Sequence, residues 1–510
     1  MSLTRTLKIV GGGIGVFYGS YVLAPPEEKK CLSSITGSSI RFVRSFKIGL
    51  TISMDYLIAP IFGHEYPTIH QRAAERIVDG CLANGGLYIK LGQGLAAMNH
   101  ILPKEYIDTL TILQDKCLKH GADELEKIFL QDFGSKPEQV FLKIEPEPVA
   151  AASIAQVFKA VTTNGENVAI KVQYIDLQDR FSADIKTVDF LLKIISIMHP
   201  KFNFHWVLDE MRDTLVQELD FENEGRNSEK CARDLQSYSY AYVPKVHWDC
   251  TSKRVLTTEW IDGIKINNVK ELKRQQLSLA EVDKKLFTIM AQQIFHSGFV
   301  HADPHPGNIL VRKVTDNTAQ IVLLDHGLYE EVPEHTRHTL CNYWESIVLR
   351  DNKRLKYYAR QLNVDDYILF GEMLTQTPMS VFGLTTIPPG LSADEYMKKQ
   401  AQERFDKVMV TLRAMPKSIL LVIRNLNTVR AIAREHGDPI DRYRLMARMA
   451  VLGKHKLAQH TLWKRLIGKV SRVRFEIQLW SQSFSLWLFG CYLRFLKLLG
   501  FKVDIVMNQF

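Results

Sequence analysis

Cysteine is scarce and has no motif spacing. The seven residues, at 31, 81, 117, 231, 250, 341 and 491 of 510, form no C-x-x-C pair, and no His stands at zinc spacing from them. A disulfide framework and a structural zinc site are therefore excluded. Proline and glycine are also modest, at 18 and 29 residues, which rules out a low-complexity or collagen-like chain. With 46% hydrophobic residues the chain is not disordered, and at roughly 150 residues per domain it amounts to about three structural units. No recognition helix, RNP motif or zinc finger accompanies the net charge of +9, so nucleic acid is not an expected partner.

The positive charge sits at the two ends. Residues 1–47 carry seven Lys or Arg against two Glu, and residues 451–510 carry ten against two acids, leaving a mildly acidic body. Two basic, apolar ends on such a body suit contact with an anionic membrane surface, cardiolipin included. Arg5 and Lys8 open the chain, and an uncharged run follows from Ile9 to Pro26, interrupted by five glycines. It lacks a small-x-small secretory cleavage pattern. Two readings remain: an organelle-targeting segment that stays as an anchor, at the short limit for a span, or a buried N-terminal helix. Near the other end, Phe475 to Leu499 interleaves Ile477, Leu479, Trp480, Phe484, Trp487 and Phe495 with Arg472, Arg474, Arg494 and Lys497. That pattern predicts a basic amphipathic helix, packed on the chain's own core or laid on a membrane surface.

Between the ends the chain carries a series of chemical signals. Val149 to Val161 reads as strand, small-residue loop and strand around Ala150, Ala151, Ala152 and Ser153. Thr163-Asn164-Gly165-Glu166 predicts a hairpin turn into the strand Val168 to Val172, where Lys171 stands among apolar neighbours. A Lys on an inner strand costs several kcal/mol unless it meets an anion, so Lys171 either faces water or holds a phosphate or carboxylate. Downstream, Gln217 to Asn227 reads as one acidic helix. Its spacing stacks Glu218 on Glu222 and Asp220 on Glu224, either as a solvated face or around a cation.

The most specific stretch is Phe299 to Val311, a polar loop between two apolar strands that contains His301, Asp303, His305, Gly307 and Asn308. A bare H-x-D-x-x-x-x-N occurs by chance in about one chain of this length in sixteen. Adding His305 and Gly307 makes coincidence about four hundred times rarer. Asp303 can orient or deprotonate an attacking hydroxyl, and Asn308 can turn its amide oxygen to a metal. The strand Ile321 to Leu324 then delivers Asp325 into His326-Gly327, a position suited to magnesium. In this order the set is an inventory for phosphoryl transfer with ATP and Mg2+.

These motifs resemble the protein-kinase-like fold, and more closely the UbiB/aarF-domain family of atypical kinases. Upstream, Tyr88-Ile89-Lys90-Leu91-Gly92-Gln93 carries that family's K-x-G-Q signature, and the resemblance runs from about residue 65 to 450. It implies an α+β bilobal fold with an N-terminal helical extension over the site where a protein kinase takes its peptide. It also implies that Lys90, Gln93, Glu218 and Asp220 belong to that regulatory extension. The alanine-rich loop stands where ordinary kinases have G-x-G-x-x-G, which makes Ala150 to Ser153 and Lys171 nucleotide-binding residues. Glu224 is then the partner of Lys171, Asp303 the catalytic acid, and Asn308 with Asp325 the metal ligands.

His326 in the place of Phe is similar to the family's mitochondrial subgroup, and Ala302 replaces the Arg of H-R-D. The A-P-E segment of protein kinases is absent, which weakens a peptide substrate. The resemblance implies roles in coenzyme Q or phospholipid handling at the mitochondrial inner membrane, with a nucleotide-binding pseudokinase scaffold as the alternative. The expected layout is a targeting or anchor segment to residue 60, the extension over 61–145 and a small lobe over 146–262. A large lobe over 263–450 and basic amphipathic helices over 451–510 complete it.

Overall fold

The computed structural model describes residues 26–96, 102–115, 123–151, 154–175, 177–199, 215–314, 318–379 and 414–457. It also describes 472–481 and isolated positions at 208, 212, 411–412, 470, 484, 488 and 491–492. Ala152, Ser153, the uncharged run up to Pro25 and most of the C-terminal amphipathic stretch lie outside these residues. The chain forms two compact units. The first contains residues up to Phe221 plus His247–Thr258, and the second contains Glu222–Val246 and Glu259 onward.

The first unit begins with helices Pro26–Ile58, Tyr66–Asn84, Leu87–Ala96 and Lys104–Leu110, and the 22-residue helix Leu177–Met198 packs against the first of them. Its sheet has the strand order Phe141–Ile144, Ala155–Thr162, Asn167–Gln173, Val255–Glu259, with the short strand Ala150–Ala151 paired to Ala155–Thr162. The β-branched run 168–172 alternates as a half-buried strand should. Val168, Ile170 and Val172 join Phe129, Phe141 and Phe158 in a core under the Asp123–Phe133 helix, and Ala169 and Lys171 point the other way. The predicted hairpin is present: Thr162 N–H donates to Glu166 O at 2.9 Å, and Gly165 takes φ 82°, a conformation that a side chain makes costly.

In the second unit, helices Leu279–Ala291, Glu334–Val348, Lys417–Glu435 and Arg442–Leu457 share one core with the strands Ile309–Lys313 and Ala319–Leu323. Those two strands are antiparallel, with Leu323 opposite Ile309, and a two-stranded ribbon pairs His301 with Tyr329. The chain leaves that ribbon at Pro333, which caps the helix Glu334–Val348.

One expectation fails here. The acidic stretch is not a single helix, because residues 215–218 are helical, Leu219 turns, and a new helix starts at Phe221. The Leu219 carbonyl accepts from the side chains of Gln173 at 2.8 Å and Gln178 at 3.2 Å, and Phe221 N–H donates to Lys253 O at 3.1 Å. These bonds occupy the groups that would have carried the helix on, so Glu218 does not stack on Glu222. Glu222 pairs instead with Arg226 at 2.8 Å.

Candidate functional site

The polar loop of the second unit is held by backbone bonds between its ends. His301 is buried in the ribbon strand Phe299–His301, and its Nε2 lies 2.7 Å from the carbonyl oxygen of Asp325. Asp303 N–H donates to His301 Nδ1 at 3.1 Å. Together these bonds define a neutral ring, with Nε2–H donating and Nδ1 accepting. Burial pushes the His301 pKa below the usual imidazole value, against the opposing pull of Asp325 and Asp303. A single neutral imidazole thus ties the start of the loop to the Asp325 turn.

The three expected chemical residues come together around that tie. Asn308 Nδ2 lies 3.4 Å from Asp325 Oδ2, while Asp325 Oδ1 accepts from Gly327 N–H at 3.0 Å. Leu324 N–H donates to Asn308 O at 3.0 Å, which fixes the two strand ends side by side. Half a turn of the Asn308 amide exchanges its nitrogen for its oxygen, so the pair can present an amide oxygen and a carboxylate. Such hard oxygen donors, few in number, suit Mg2+, which keeps several of its waters. Among the described residues no cluster of three or more His, Cys, Asp or Glu with metal-site geometry occurs. The donor set therefore fits magnesium bound with substrate and water ligands, and not a caged protein site.

Asp303 is half-buried, and its Oδ2 accepts from Arg424 Nη2 at 3.2 Å. Next along the same helix, Asn425 is fully buried and its Nδ2 donates to His301 O at 2.7 Å. Two consecutive residues of Lys417–Glu435 thus grip the loop on either side of Ala302. Sequence reasoning passed over both, because Arg424 lies 121 positions from Asp303 and no local pattern marks it. His326 is buried, with Nδ1 2.9 Å from Tyr329 Oη and Nε2 3.1 Å from Leu323 O. It is thus a packing residue behind the Asp325 turn.

The first unit holds Ala150, Ala151, Lys171, Lys90, Gln93, Glu218 and Asp220. Ala150 is paired with Val157, and Val157 with Lys171, so Ala150 and Lys171 occupy one row on one face, about two strand spacings or ~10 Å apart. The Lys171 ammonium also lies over the Phe221 ring, 4.9 Å from its centroid. Ala151 is opposite Gln156.

Lys90 and Glu218, 128 positions apart in the sequence, form an ion pair at 2.8 Å. Gln93 Nε2 donates to Leu113 O at 2.8 Å. Gly92 lies where an added Cβ would come within 2.3 Å of Leu113 Cδ1, so glycine is what lets the Leu87–Ala96 helix approach residues 112–115. Asp220 lies at the helix break, its N–H donating to Gln217 O at 3.2 Å.

Comparison with known proteins gives this geometry a family. The ABC1 atypical kinase-like domain matches residues 112–359. AarF domain-containing protein kinase 1 of Mus musculus is 35% identical over 463 residues, covering 88% of this chain and 87% of the mouse protein. The chain belongs to the ABC1/AarF family of atypical kinases. A putative ABC1 protein of Arabidopsis thaliana is 30% identical over 95% of this chain and 97% of its own. The probable serine/threonine-protein kinase abkD of Dictyostelium discoideum is 43% identical over 81% of this chain, which spans 61% of that longer relative.

Within the ABC1/AarF frame, Glu224 takes up a contact that sequence reasoning did not foresee. It is buried, and its Oε1 accepts from His326 N–H at 3.4 Å, while Asn227 Nδ2 donates to His326 O at 3.1 Å. The helix Phe221–Leu235 therefore clamps the backbone of the Asp325-His326-Gly327 turn from both sides. Lys171 belongs to the first unit and Glu224 to the second.

Proposed function

We propose that this ABC1/AarF-family chain binds Mg-ATP and acts as a phosphotransferase or ATPase on a lipid or other small molecule at the mitochondrial inner membrane. That role supports lipid or coenzyme Q homeostasis and membrane organisation there. The observation that carries the reading is the approach of Asn308 and Asp325 to 3.4 Å, on a loop whose Asp303 is locked by His301. Asn308 and Asp325 would hold magnesium, which neutralises charge on the phosphates when bound. Asp303 orients the attacking hydroxyl or water and takes its proton at the carboxylate.

The Arg424 guanidinium pairs with the Asp303 carboxylate at 3.2 Å and is itself a donor for a transferring phosphoryl group. Ala150, Ala151, Ala152, Ser153 and Lys171 serve the nucleotide. An alanine-rich loop is stiffer than a glycine-rich one, which favours a nucleotide pose unlike that of ordinary protein kinases. Lys90, Gln93, Glu218 and Asp220 form the regulatory extension. The Lys90–Glu218 pair supports that role, since it ties the K-x-G-Q helix to the acidic stretch. The basic ends support contact with anionic lipids such as cardiolipin.

The test is magnesium-dependent ATP hydrolysis by the full chain, with and without cardiolipin-containing vesicles, beside Asp325→Asn. The expected result is lipid-stimulated turnover that the substitution lowers about a hundredfold or more without changing the unfolding temperature. Thermal stabilisation by Mg-ATP with no turnover would move the assignment to a nucleotide-binding scaffold. No nucleotide effect of either kind would remove the ATP reading.

A further inference from the structure

The Pro26–Ile58 helix is amphipathic in reverse. Arg41, Arg44 and Asp55 face the protein. Arg41 Nε meets the buried Asp184 at 2.8 Å, Arg44 donates to Asn84 Oδ1 and Ala83 O at 2.7 Å, and Asp55 receives Arg72 at 3.0 Å and Arg76 at 2.5 Å. Its outer face is apolar. Of the ten exposed positions from Ser39 to Ile58, seven are Ile40, Val43, Phe46, Leu50, Met54, Leu57 and Ile58, and the sole charge is Lys47. Ile61 and Phe62 continue the stripe at 79% and 76% exposure. On the neighbouring Leu177–Met198 helix, Phe190 and Ile197 are exposed as well, and the Phe190 ring lies 5.9 Å from that of Phe42.

A helix in contact with water buries its oils and exposes its charges, so this face is built for an apolar surrounding. We propose that it lies in the plane of a lipid bilayer, with the stripe from Ile40 to Phe62 set into the acyl-chain boundary.

Three observations commit the face to lipid. The stripe has no exposed Asp or Glu, and its one ion is a cation, which suits a surface bearing anionic headgroups. The uncharged run Ile9–Pro26 ends where this helix begins, so the chain that precedes it is itself of membrane composition. From Ile40 to Phe62 the stripe extends about 33 Å, and the segment Gly37–Phe62 is apolar and long enough to cross a membrane while only 11% buried.

The inner face decides against crossing. Arg72 and Arg76 on Tyr66–Asn84, and Lys186, Asp189 and Lys193 on Leu177–Met198, run alongside the helix. A transbilayer placement would draw those ions into hydrocarbon. An in-plane placement leaves them on the water side. The inference rests on the membrane reading above only for the kind of surface, and moves the contact from the two ends of the chain to a face of its first unit.

The test is flotation of the full chain with phosphatidylcholine vesicles, with and without a fifth of cardiolipin. It compares the wild type, Val43→Asp with Leu50→Asp, and Arg472→Gln with Arg474→Gln. The first pair is expected to lower vesicle binding at least tenfold on both lipids, because the contact is apolar. Unfolding temperature and nucleotide stabilisation should not change, since the substituted side chains are exposed. Should the acidic pair destabilise the unit, Met54→Gln with Leu57→Gln gives the same readout without charge.

Stripe variants that float like the wild type would overturn the proposal. If only Arg472 and Arg474 then matter, the contact returns to the C-terminal end and the membrane reading survives. Failure of the wild type to float would overturn both. A lipid-free wild type that sediments as a dimer, and stripe variants that sediment as monomers, would overturn it by giving the face to a second copy.

Discussion

The first unit divides its apolar interior into separate clusters, one among the Tyr66–Asn84, Leu87–Ala96 and Lys104–Leu110 helices, one under the sheet, and one around Leu87, Ile185 and Leu215. The second unit has a dominant cluster that runs from Cys231 to Leu479 and includes Phe299, Val300, Ile309 and Leu323. Those four residues flank the polar loop and the Asp325 turn. Precision at Asp303, Asn308 and Asp325 is thus inherited from a whole cooperative core, whereas the Lys90–Glu218 contact rests on a small local one. Groups held at fixed distances gain from the large shared core, and segments that open locally gain from the small one.

The largest expected effect tests that contrast directly. Phe295→Ala empties a fully buried position of the second core and should cost about 3–5 kcal/mol. Amide exchange should then accelerate at Val300, Ile309 and Leu323 together. Phe129→Ala, equally buried in the first unit, should cost a similar amount yet leave those amides protected. Loss of protection in both variants would erase the distinction.

Next comes Glu345, which is 1% exposed and pairs with Arg354 and Lys454, each at 2.7 Å. Burial raises its pKa, but Lys454 and Arg354 outweigh burial and hold it below the usual range. Glu345→Ala strands two cations and should cost about 3–5 kcal/mol in urea unfolding. Its folded pKa is depressed, so the stability it contributes is present above the unfolded value near pH ~4.3 and is lost as pH falls through the folded value. The acid limb of a melting-temperature profile should therefore flatten in the variant.

Lys90→Ala breaks a half-buried pair in the smaller core. Its cost should be about 1–2 kcal/mol, between the values for exposed and buried pairs, and confined to the first unit. A loss as large as that of Glu345→Ala would mean that the extension is integral to a single core.

The smallest effect is alkaline. The buried His436 loses from desolvation but gains more from Asp283 Oδ1 at 2.6 Å and Ile266 O at 2.8 Å, so its pKa is raised. Its contribution is complete below the unfolded value near pH ~6.5 and is lost as pH rises through the folded value. His301 works in the opposite sense, its lowered pKa costing stability as pH falls below that same value. His436→Gln should remove the alkaline decline and leave the His301 limb, as read from melting temperatures between about pH 5.5 and 8.5.

Much of the site is legible along the chain because its chemistry is local. The turn at Thr163 to Glu166, the strand ending in Lys171, the loop from His301 to Asn308 and the Asp325 turn each declare themselves within a dozen residues. Other features depend on partners far away in sequence. Helical spacing carried one helix through Gln217 to Asn227, but Gln173 and Gln178 take the Leu219 carbonyl and end it. Glu224 was expected at Lys171, and within its own unit it holds the backbone of His326.

What the sequence alone determined is the kinase-like family, the two strand-loop-strand motifs and the identity of Asp303, Asn308 and Asp325, since backbone preference and residue order suffice for these. Tertiary structure decided that Arg424 and Asn425 grip the loop, and that the apolar stripe of Pro26–Ile58 points outward. Hydrophobic spacing says only that a helix has an apolar side. Which side the neighbours cover, and which distant cation reaches a carboxylate, is set by where other helices pack.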